Sequence, residues 1–217
     1  MRRDLRNSVI AIVVITLVFG LAYPLIFTGV AQVLFPGNAN GSKIHQGGKL
    51  IGSKLIAQDF RKPVIGKNGK PEMDKKGKPV LTADPLWFQP RPSVTNYAAN
   101  ATAFSNLGPN NKTARDAFKS NLDAYLALER PYNPGLSAAK VPVDAVTNSA
   151  SGVDPHISKA NARIQARRIA ALRHLPLNRV RSLIDRHTDG RFLGVFGEPG
   201  VNVLELNLAI AREAHAA

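Results

Sequence analysis

A long uncharged segment near the N-terminus constrains this chain more than any other feature. No Lys, Arg, Asp or Glu occurs from Asn7 to Ser42, and the sequence from Val9 to Gln32 is almost entirely apolar. About 20 helical residues cross the hydrocarbon core of a bilayer. The sequence therefore predicts a transmembrane helix over residues 9–34. Pro24 is expected to kink this helix, which bilayer helices tolerate better than soluble helices do.

A secretory signal peptide is the alternative interpretation of the same segment. The apolar region of a signal peptide is normally shorter and ends at a small-residue cleavage site. The apolar segment here is long, and no clear Ala-x-Ala motif follows it. We therefore favour an uncleaved single-pass anchor in the cell (inner) membrane.

The charges that flank the apolar segment predict its orientation. Residues 1–8 contain three arginines opposed by Asp4, whereas the other flank is uncharged as far as Lys43. Positively charged flanks remain on the cytoplasmic side, and long domains translocate largely regardless of their charge. We therefore expect residues 1–8 to be cytoplasmic and residues 35–217 to form an extracytoplasmic domain.

The overall charge bears on the class of partner. The 217 residues include 29 Lys and Arg against 15 Asp and Glu, a formal net charge of +14, and clustered basic residues are typical of nucleic-acid binding. Aromatic residues make up only 6% of the chain, and no nucleic-acid recognition motif interrupts the basic segments. We expect a basic surface that faces solvent, membrane lipid or acidic partners, with no nucleic acid. A module that binds cell-wall or nucleic-acid polyanions is the minor alternative.

Residue-type patterns after the anchor predict a single α+β domain. Asn110 or Asn111 can cap a helix that runs to about Glu129, with apolar residues on one face. Ser158 can cap a second helix, and a third helix begins near Asn178. The chain has no cysteine, which excludes disulfides, thiolate catalysis and cysteine-ligated zinc.

Turn-forming repeats predict an inserted loop in this domain at about residues 62–84. The sequence "NGKP" begins at Asn68, and "KGKP" begins eight residues later at Lys76. Asn-Gly is a hairpin-turn signal, and lysines keep edge strands soluble. We therefore expect a basic, turn-rich loop.

The C-terminal region contains two further short patterns. Residues 191–197, "RFLGVFG", have a strand-like composition. Residues 201–210 fit either an alternating strand or a helix capped by Asn202, and the pattern leaves both possibilities open.

The segment "WFQPRPS", residues 87–93, contains the single Trp of the chain. Its prolines exclude a central strand or a helix interior. Trp87 and Phe88, with Arg91 close by, form a candidate aromatic anchor. The sequence leaves open whether this anchor packs in the core or docks on a partner.

The segment "SGVDPHIS", residues 151–158, is the best candidate for a catalytic site. In a strand, residues two apart share a face, so Asp154 could orient His156. With a serine these two residues would form a membrane-anchored extracytoplasmic hydrolase. However, triads are recognised by geometry rather than by proximity in sequence.

A structural interpretation explains the same residues more completely. Asp-Pro forms turns, Ile157 can pack against the start of a helix, and Ser158 can cap that helix. No Gly-x-Ser-x-Gly or His-Glu-x-x-His motif occurs in the sequence. His187 and Asp189 could complete a ligand set only through the fold. We predict the start of a helix here, with no catalytic, cofactor-binding or metal-binding residues.

The chain resembles a known family, the C subunit of the Kdp potassium-transporting P-type ATPase. The resemblance covers nearly the full length and rests on "GSKLIAQDF", "WFQPRPSV", "SNLGPNNK", "VPVDAVTNSASGVDPHISKANARIQARRIA" and "HTDGRFLGVFGEPGVNVLELNLAI". The insert at residues 64–82 is longer than the usual connection in such proteins.

The resemblance implies an accessory subunit of a high-affinity potassium pump with no chemistry of its own. Such proteins assemble with a potassium-channel-like subunit, a P-type ATPase subunit and a small single-helix subunit, and the first two handle K⁺ and ATP. The family has also been described as a catalytic chaperone that raises the affinity of the ATPase subunit for ATP. The predicted orientation places the domain on the side of the membrane opposite ATP, and the sequence has no glycine-rich phosphate loop. We therefore expect no direct binding of ATP or another cofactor.

Overall fold

The protein is described by a computed structural model over residues 1–216, which form two compact units. The first unit is Met1–Ser53, and the second begins at Lys54. The elements of the second unit are short strands and longer helices in mixed order, so the predicted α+β class is confirmed.

The first unit contains a continuous helix over Arg2–Leu34 whose side chains are exposed almost throughout. It consists of α1 (Arg2–Ile15), a π-helical segment (Thr16–Ala22) and α2 (Tyr23–Leu34). The backbone N–H of Tyr23 bonds to the carbonyl of Val18, five residues earlier. Because Pro24 has no N–H to donate, the regular bonding pattern is lost at this point, and the helix is irregular directly before the proline. A short helix α3 (Pro36–Ala39) and a hairpin of β1 (Lys43–Gln46) and β2 (Lys49–Ser53) complete the unit.

The predicted insert is an ordered set of turns closed by a second hairpin. Strands β3 (Arg61–Pro63) and β4 (Leu81–Ala83) pair antiparallel, and two β-bridges close the turns between them, Ile65 with Pro71 and Met73 with Pro79. We call residues 61–83 the two-turn insert. The repeat seen in the sequence is therefore a structural repeat.

Most of the second unit packs around one apolar core. Its elements are α5 (Lys159–Leu172), α6 (Leu177–Arg186), α7 (Val203–Ala216) and a three-stranded antiparallel sheet in the order β5 (His156–Ile157), β7 (Gly200–Asn202) and β6 (Thr188–Asp189). The core residues are fully or almost fully buried and include Phe88, Ile157, Ala162, Ala166, Ile169, Val180, Ile184, Val201, Leu206 and Ile210.

Helix α4 (Lys112–Glu129) covers a second, smaller apolar cluster. The side chain of Asn111 accepts a hydrogen bond from the N–H of Ala114 at 3.3 Å and caps the helix, as predicted. The C-terminal half of the helix buries Tyr125 and Leu126, whereas Phe118 in the first half is 41% exposed. The predicted apolar face is therefore buried over only part of its length.

The structure corrects one C-terminal prediction and resolves another that the sequence left open. Residues 191–197 are not a strand but a tight hairpin tip held by one bridge between Phe192 and Phe196. Residues 201–210 are the end of β7 followed by α7, and the side chain of Asn202 accepts a hydrogen bond from the N–H of Glu205 at 3.1 Å. Because a capping side chain stops the strand after two residues of the pattern, the helical alternative is correct.

Candidate functional site

The segment at residues 151–158 leads into α5 and ends at Ser158, the N-cap of that helix. The hydroxyl of Ser158 accepts a hydrogen bond from the N–H of Asn161 at 3.1 Å and donates to Oδ1 of Asp144 at 2.8 Å. Asp144 also accepts from the N–H of Ser158 at 2.9 Å. The hydroxyl of Ser158 is therefore used by the helix cap and a carboxylate, not by His156.

His156 lies between two carboxylates. Its Nε2 is 3.0 Å from Oδ2 of Asp189, and its Nδ1 is 3.7 Å from Oδ1 of Asp154. His156 and Asp189 lie on β5 and β6, which flank β7. The backbone of Gly200 on β7 lies beside the imidazole, and a Cβ there would come within 3.0 Å of the Cβ of His156. The glycine therefore gives the imidazole room to reach across the central strand.

The electrostatics of this cluster favour the charged forms of its groups. The carboxylate of Asp154 raises the pKa of His156, partial burial opposes the shift, and Asp189 adds to it. Burial acts to raise the pKa of Asp154, but hydrogen bonds from His156 and the nearby Arg91 outweigh burial and lower it. An imidazolium held by two carboxylates is an ion-pair arrangement that joins β5 to β6.

Arg91 attaches the segment after Trp87 to the same region. Its guanidinium is 3.4 Å from Oδ2 of Asp154 and donates to the carbonyl of Asn148 at 3.1 Å. His187, considered as a ligand partner, lies at the C-terminal end of α6, where burial lowers its pKa. Over residues 1–216, no group of three or more His, Asp or Glu side chains could hold a metal ion.

The segment containing Trp87 and Phe88 is fixed by side-chain amides that the sequence analysis missed. The amide of Asn207 accepts from the N–H of Phe88 and donates to its carbonyl, both at 2.9 Å. The amide of Gln165 does the same for Gln89, at 2.7 and 3.1 Å. Each amide therefore makes the two backbone hydrogen bonds that a neighbouring strand would otherwise make. No pattern in the sequence predicts these contacts.

A buried ion pair completes the attachment of this segment. Arg168 and Glu129 are 2.8 Å apart, and both side chains are 0% exposed. The guanidinium of Arg168 also donates to the carbonyls of Pro85 and Trp87. Burial raises the pKa of Glu129, and the neighbouring Arg168 opposes that shift. The pair connects α4, α5 and the segment before Phe88.

Trp87 and Phe88 have different environments. Phe88 is 0% exposed and belongs to the core, whereas Trp87 is half-buried. The guanidinium of Arg173 lies 4.3 Å from the centroid of the Trp87 ring, and the Phe60 ring lies 6.1 Å away. Phe88 is therefore a core residue, and Trp87 forms a cation–π contact within the domain.

Two apolar features of the second unit face solvent. Residues 192–196, here called the apolar tip, expose Phe192, Leu193, Val195 and Phe196 by 65–75%. A groove of about 930 Å³ lies between α4 and residues 91–109, and Phe104 and Phe118 contribute to its walls. Exposed apolar patches of this kind mark interaction surfaces in soluble domains.

Comparison with known proteins identifies the family. A family model described as "KdpC: K+-transporting ATPase, c chain" matches residues 5–212. The chain belongs to the KdpC family. The resemblance drawn from the sequence motifs is therefore confirmed, and the protein is a subunit of a potassium-transporting P-type ATPase.

Relatives in several bacteria match over almost their whole length. A potassium-transporting ATPase KdpC subunit of Polaromonas naphthalenivorans is 45% identical over 213 residues, covering 97% of this chain and 95% of the relative. The corresponding proteins of Rhodospirillum rubrum and Caldanaerobacter subterraneus are 44% and 37% identical, covering 97% and 98% of this chain and 96% and 97% of the relative. Such coverage makes the chain similar to KdpC subunits from the anchor to the last helix.

The family assignment agrees with the membrane anchor. Within the described residues, Arg2–Leu34 is the one helix that is long and apolar enough to cross a membrane. The predicted transmembrane helix therefore corresponds to a single candidate span at the N-terminus of a membrane transporter subunit.

Proposed function

We propose that this chain is a non-catalytic accessory subunit that assembles and stabilises a high-affinity ATP-driven potassium uptake pump. Its partners in this proposal are a potassium-channel-like subunit, a P-type ATPase subunit and a small single-helix subunit. In this proposal the first two partners handle K⁺ and ATP, and this chain binds neither. The family assignment supports membership of such a complex, and the apolar tip supports docking.

The apolar tip carries the proposal. Its backbone is closed by hydrogen bonds between Phe192 and Phe196 at 2.8 and 3.0 Å, and an ion pair between Arg191 and Glu198 at 2.9 Å lies at its base. A closed turn presents large apolar side chains with little conformational freedom to lose on binding. Aromatic side chains in such positions dominate the energetics of protein interfaces. The occupant that we propose is another subunit of the same pump.

The orientation predicted from the flanking arginines is part of the proposal. With the N-terminus in the cytoplasm, the second unit would lie on the extracytoplasmic side of the cell (inner) membrane. Any effect on the ATPase subunit would then act through protein contacts rather than through ATP. The ion pairs of His156 and the cap of Ser158 support a structural role for the residues that suggested a hydrolase.

Copurification of the co-expressed pump subunits tests this function. The double substitution Phe192→Ser and Phe196→Ser removes the aromatic part of the tip. We expect an association at least roughly 30-fold weaker, which is the scale of one interface hot spot. Val143→Ser is the matched control, because Val143 is 69% exposed but lies outside the tip. The amount of each subunit retained in mild detergent, and the K⁺-stimulated ATPase rate, are measured.

The outcome distinguishes the two function classes. Loss of assembly in the tip variant, with the control unchanged, supports an accessory subunit. Full assembly and full pump activity in the tip variant would show that the tip does not dock. A monomer that hydrolyses ester or peptide substrates, and loses that activity in His156→Ala while remaining folded, would instead support the hydrolase.

A further inference from the structure

The two-turn insert has a backbone framework that does not depend on its lysine side chains. The N–H of Val64 bonds to the carbonyl of Val80, that of Glu72 to Val64, and that of Val80 to Glu72, each at 2.8 Å. Val64, Glu72 and Val80 follow one another at intervals of eight residues, and their three hydrogen bonds form a closed ring. The side chains of Asn68 and Asp74 accept from backbone N–H groups in the two turns. The ring and the turns therefore present the remaining side chains on a fixed support.

The insert carries an excess of unpaired positive charge. At its base, Arg61 pairs with Asp59 and Lys62 lies 3.5 Å from Asp84. The other basic side chains are exposed, and none of them forms an ion pair within the described residues 1–216: Lys67, Lys70, Lys75, Lys76 and Lys78. The same turns contain two carboxylates, Glu72 and Asp74, against these five lysines. Backbone N–H groups of Lys78 and Lys76 lower the pKa of Asp74 and keep it ionised, so positive charge remains in excess. The turns of the insert are therefore a concentrated cationic surface.

Large apolar side chains are exposed among these lysines. Ile65 and Met73 occupy equivalent positions of the repeat, eight residues apart, and are 59% and 60% exposed. Each is followed two residues later by a lysine, Lys67 and Lys75. The insert has no aromatic residue, so it lacks the stacking groups that single-stranded nucleic-acid sites use. Apolar side chains interleaved with lysines are typical of surfaces that enter the headgroup region of a bilayer.

We propose that the two-turn insert binds the anionic phospholipid surface of the membrane in which the N-terminal helix anchors the chain. The ammonium groups would contact lipid phosphates while Ile65 and Met73 enter the boundary with the acyl chains. The N-terminal helix tethers the chain to the bilayer, and tethering raises the effective concentration of headgroups for the insert. The proposal is independent of the docking of the apolar tip and of which side of the membrane the second unit occupies.

A label within the insert tests this surface directly. The chain has no cysteine, so Met73→Cys gives a unique site for a nitroxide in the full-length protein. The protein is placed in nanodiscs of phosphatidylcholine, alone or mixed with phosphatidylglycerol. Accessibility of the nitroxide to oxygen and to a water-soluble nickel chelate is then measured by electron paramagnetic resonance. We expect protection from the chelate in the anionic discs, exposure in the neutral discs, and release by high salt.

Removing lysine charges from the insert gives a quantitative test of the same proposal. A lysine near an anionic membrane surface strengthens binding roughly fivefold. The substitutions Lys70→Gln, Lys75→Gln and Lys76→Gln should therefore reduce the bound-to-free ratio of the labelled insert on the order of 100-fold. The fold should persist, because the turns are held by backbone, Asn68 and Asp74, and far-UV circular dichroism checks this.

A matched control removes the same number of charges elsewhere. The substitutions Lys112→Gln, Lys119→Gln and Lys140→Gln should leave protection at position 73 unchanged. Equal accessibility of the label in neutral and anionic discs would overturn the proposal. So would an equal effect of the two triple substitutions. Protection that required the other pump subunits and ignored lipid charge would show that the insert docks on protein instead.

Discussion

His156 shows how a residue that suggests catalysis can serve to join strands. Its ring contacts the carboxylates of Asp154 and Asp189, and the space it occupies depends on Gly200. A general base in a serine hydrolase needs a hydroxyl within hydrogen-bond reach. The nearest serine in sequence, Ser158, gives its hydroxyl to Asp144. These contacts explain the histidine as part of the sheet.

The pKa shifts of this cluster predict how stability depends on pH. The pKa of His156 is raised in the folded state, so its ion pairs contribute fully below its ordinary value of 6.5 and are lost as pH rises through the folded value. The pKa of Asp154 is lowered, so its contribution is present above 3.8 and is lost as pH falls through the folded value. We therefore expect the His156 ion pairs to contribute less to the stability of the full-length protein toward urea at pH 8.5 than at pH 5.5. His187, whose pKa is lowered by burial, acts in the opposite direction, so the contribution of His156 is measured against a variant.

A variant of His156 shows how much of the pH dependence of stability comes from this histidine. His156→Gln should show a smaller loss of stability between the two pH values than the wild type, with a difference below about 1 kcal/mol because the cluster is partly exposed. His45→Gln is the control, since His45 is exposed and lies in the first unit. An identical loss in wild type and His156→Gln would contradict the assignment to His156.

At the scale of elements, helix α5 organises the second unit through polar groups as well as apolar ones. Its buried face carries Ala162, Ala166 and Ile169 for the core, and beside them Gln165 and Arg168 hold the segment that contains Phe88. A segment broken by prolines cannot pair as a central strand. Side chains of α5 therefore satisfy backbone groups that a sheet would otherwise satisfy.

Breaking the buried ion pair should destabilise the domain strongly. Arg168→Met leaves Glu129 buried without its partner and removes donors from two backbone carbonyls, so we expect a loss of about 3–5 kcal/mol in the free energy of unfolding. Arg167→Met is the matched control, because Arg167 is exposed on the same helix, and we expect a change within about 0.5 kcal/mol. Urea unfolding of the full-length chain, followed by circular dichroism, measures both.

A double substitution separates the ion pair from the backbone contacts. Adding Glu129→Leu to Arg168→Met removes the unpaired charge, so part of the lost stability should return. The carbonyls of Pro85 and Trp87 still lack the hydrogen bonds from Arg168, so the recovery should be incomplete. A loss below about 1 kcal/mol in Arg168→Met alone would mean that the pair contributes little.

At the scale of the whole molecule, the anchor and the second unit combine a membrane helix with a domain that has its own core. The helix Arg2–Leu34 carries charged residues only near its start and leaves its apolar side chains exposed. In a bilayer such a helix is surrounded by lipid or by other helices. Membership of the KdpC family places the chain in a multisubunit transporter, which agrees with a chain that exposes apolar surface in both units.

Topology is the prediction that belongs to this scale. The arginines in residues 1–8 should hold the N-terminus in the cytoplasm. Alkaline phosphatase fused after Ala217, which is active only outside the cytoplasm, should therefore be active. A fluorescent protein that folds only in the cytoplasm should not fluoresce when it is fused at the same position. Replacing Arg2, Arg3 and Arg6 by Gln should increase the fraction with the opposite orientation. A cytoplasmic readout from the wild-type fusion would overturn the orientation and make direct contact with ATP possible.

The sequence alone determined those features of this protein that depend on neighbours along the chain. The apolar run predicts the membrane helix, Asn111 is followed by a helix that it caps, and the repeat at Asn68 and Lys76 predicts paired turns. Capping, helical periodicity and turn chemistry act over a few residues. A single sequence therefore carries enough information to recognise them.

Only the tertiary structure decided which polar residues are buried and which apolar residues are exposed. Arg167 and Arg168 are adjacent, yet one faces solvent and the other is completely buried against Glu129, 39 residues away. Phe88 is fixed by Asn207, which is 119 residues away, and residues 192–196 look like a strand but form an exposed tip. Such outcomes depend on contacts between segments that are distant in the chain. Local patterns cannot encode them, because the free energy of burial is set by the partner that the fold brings near.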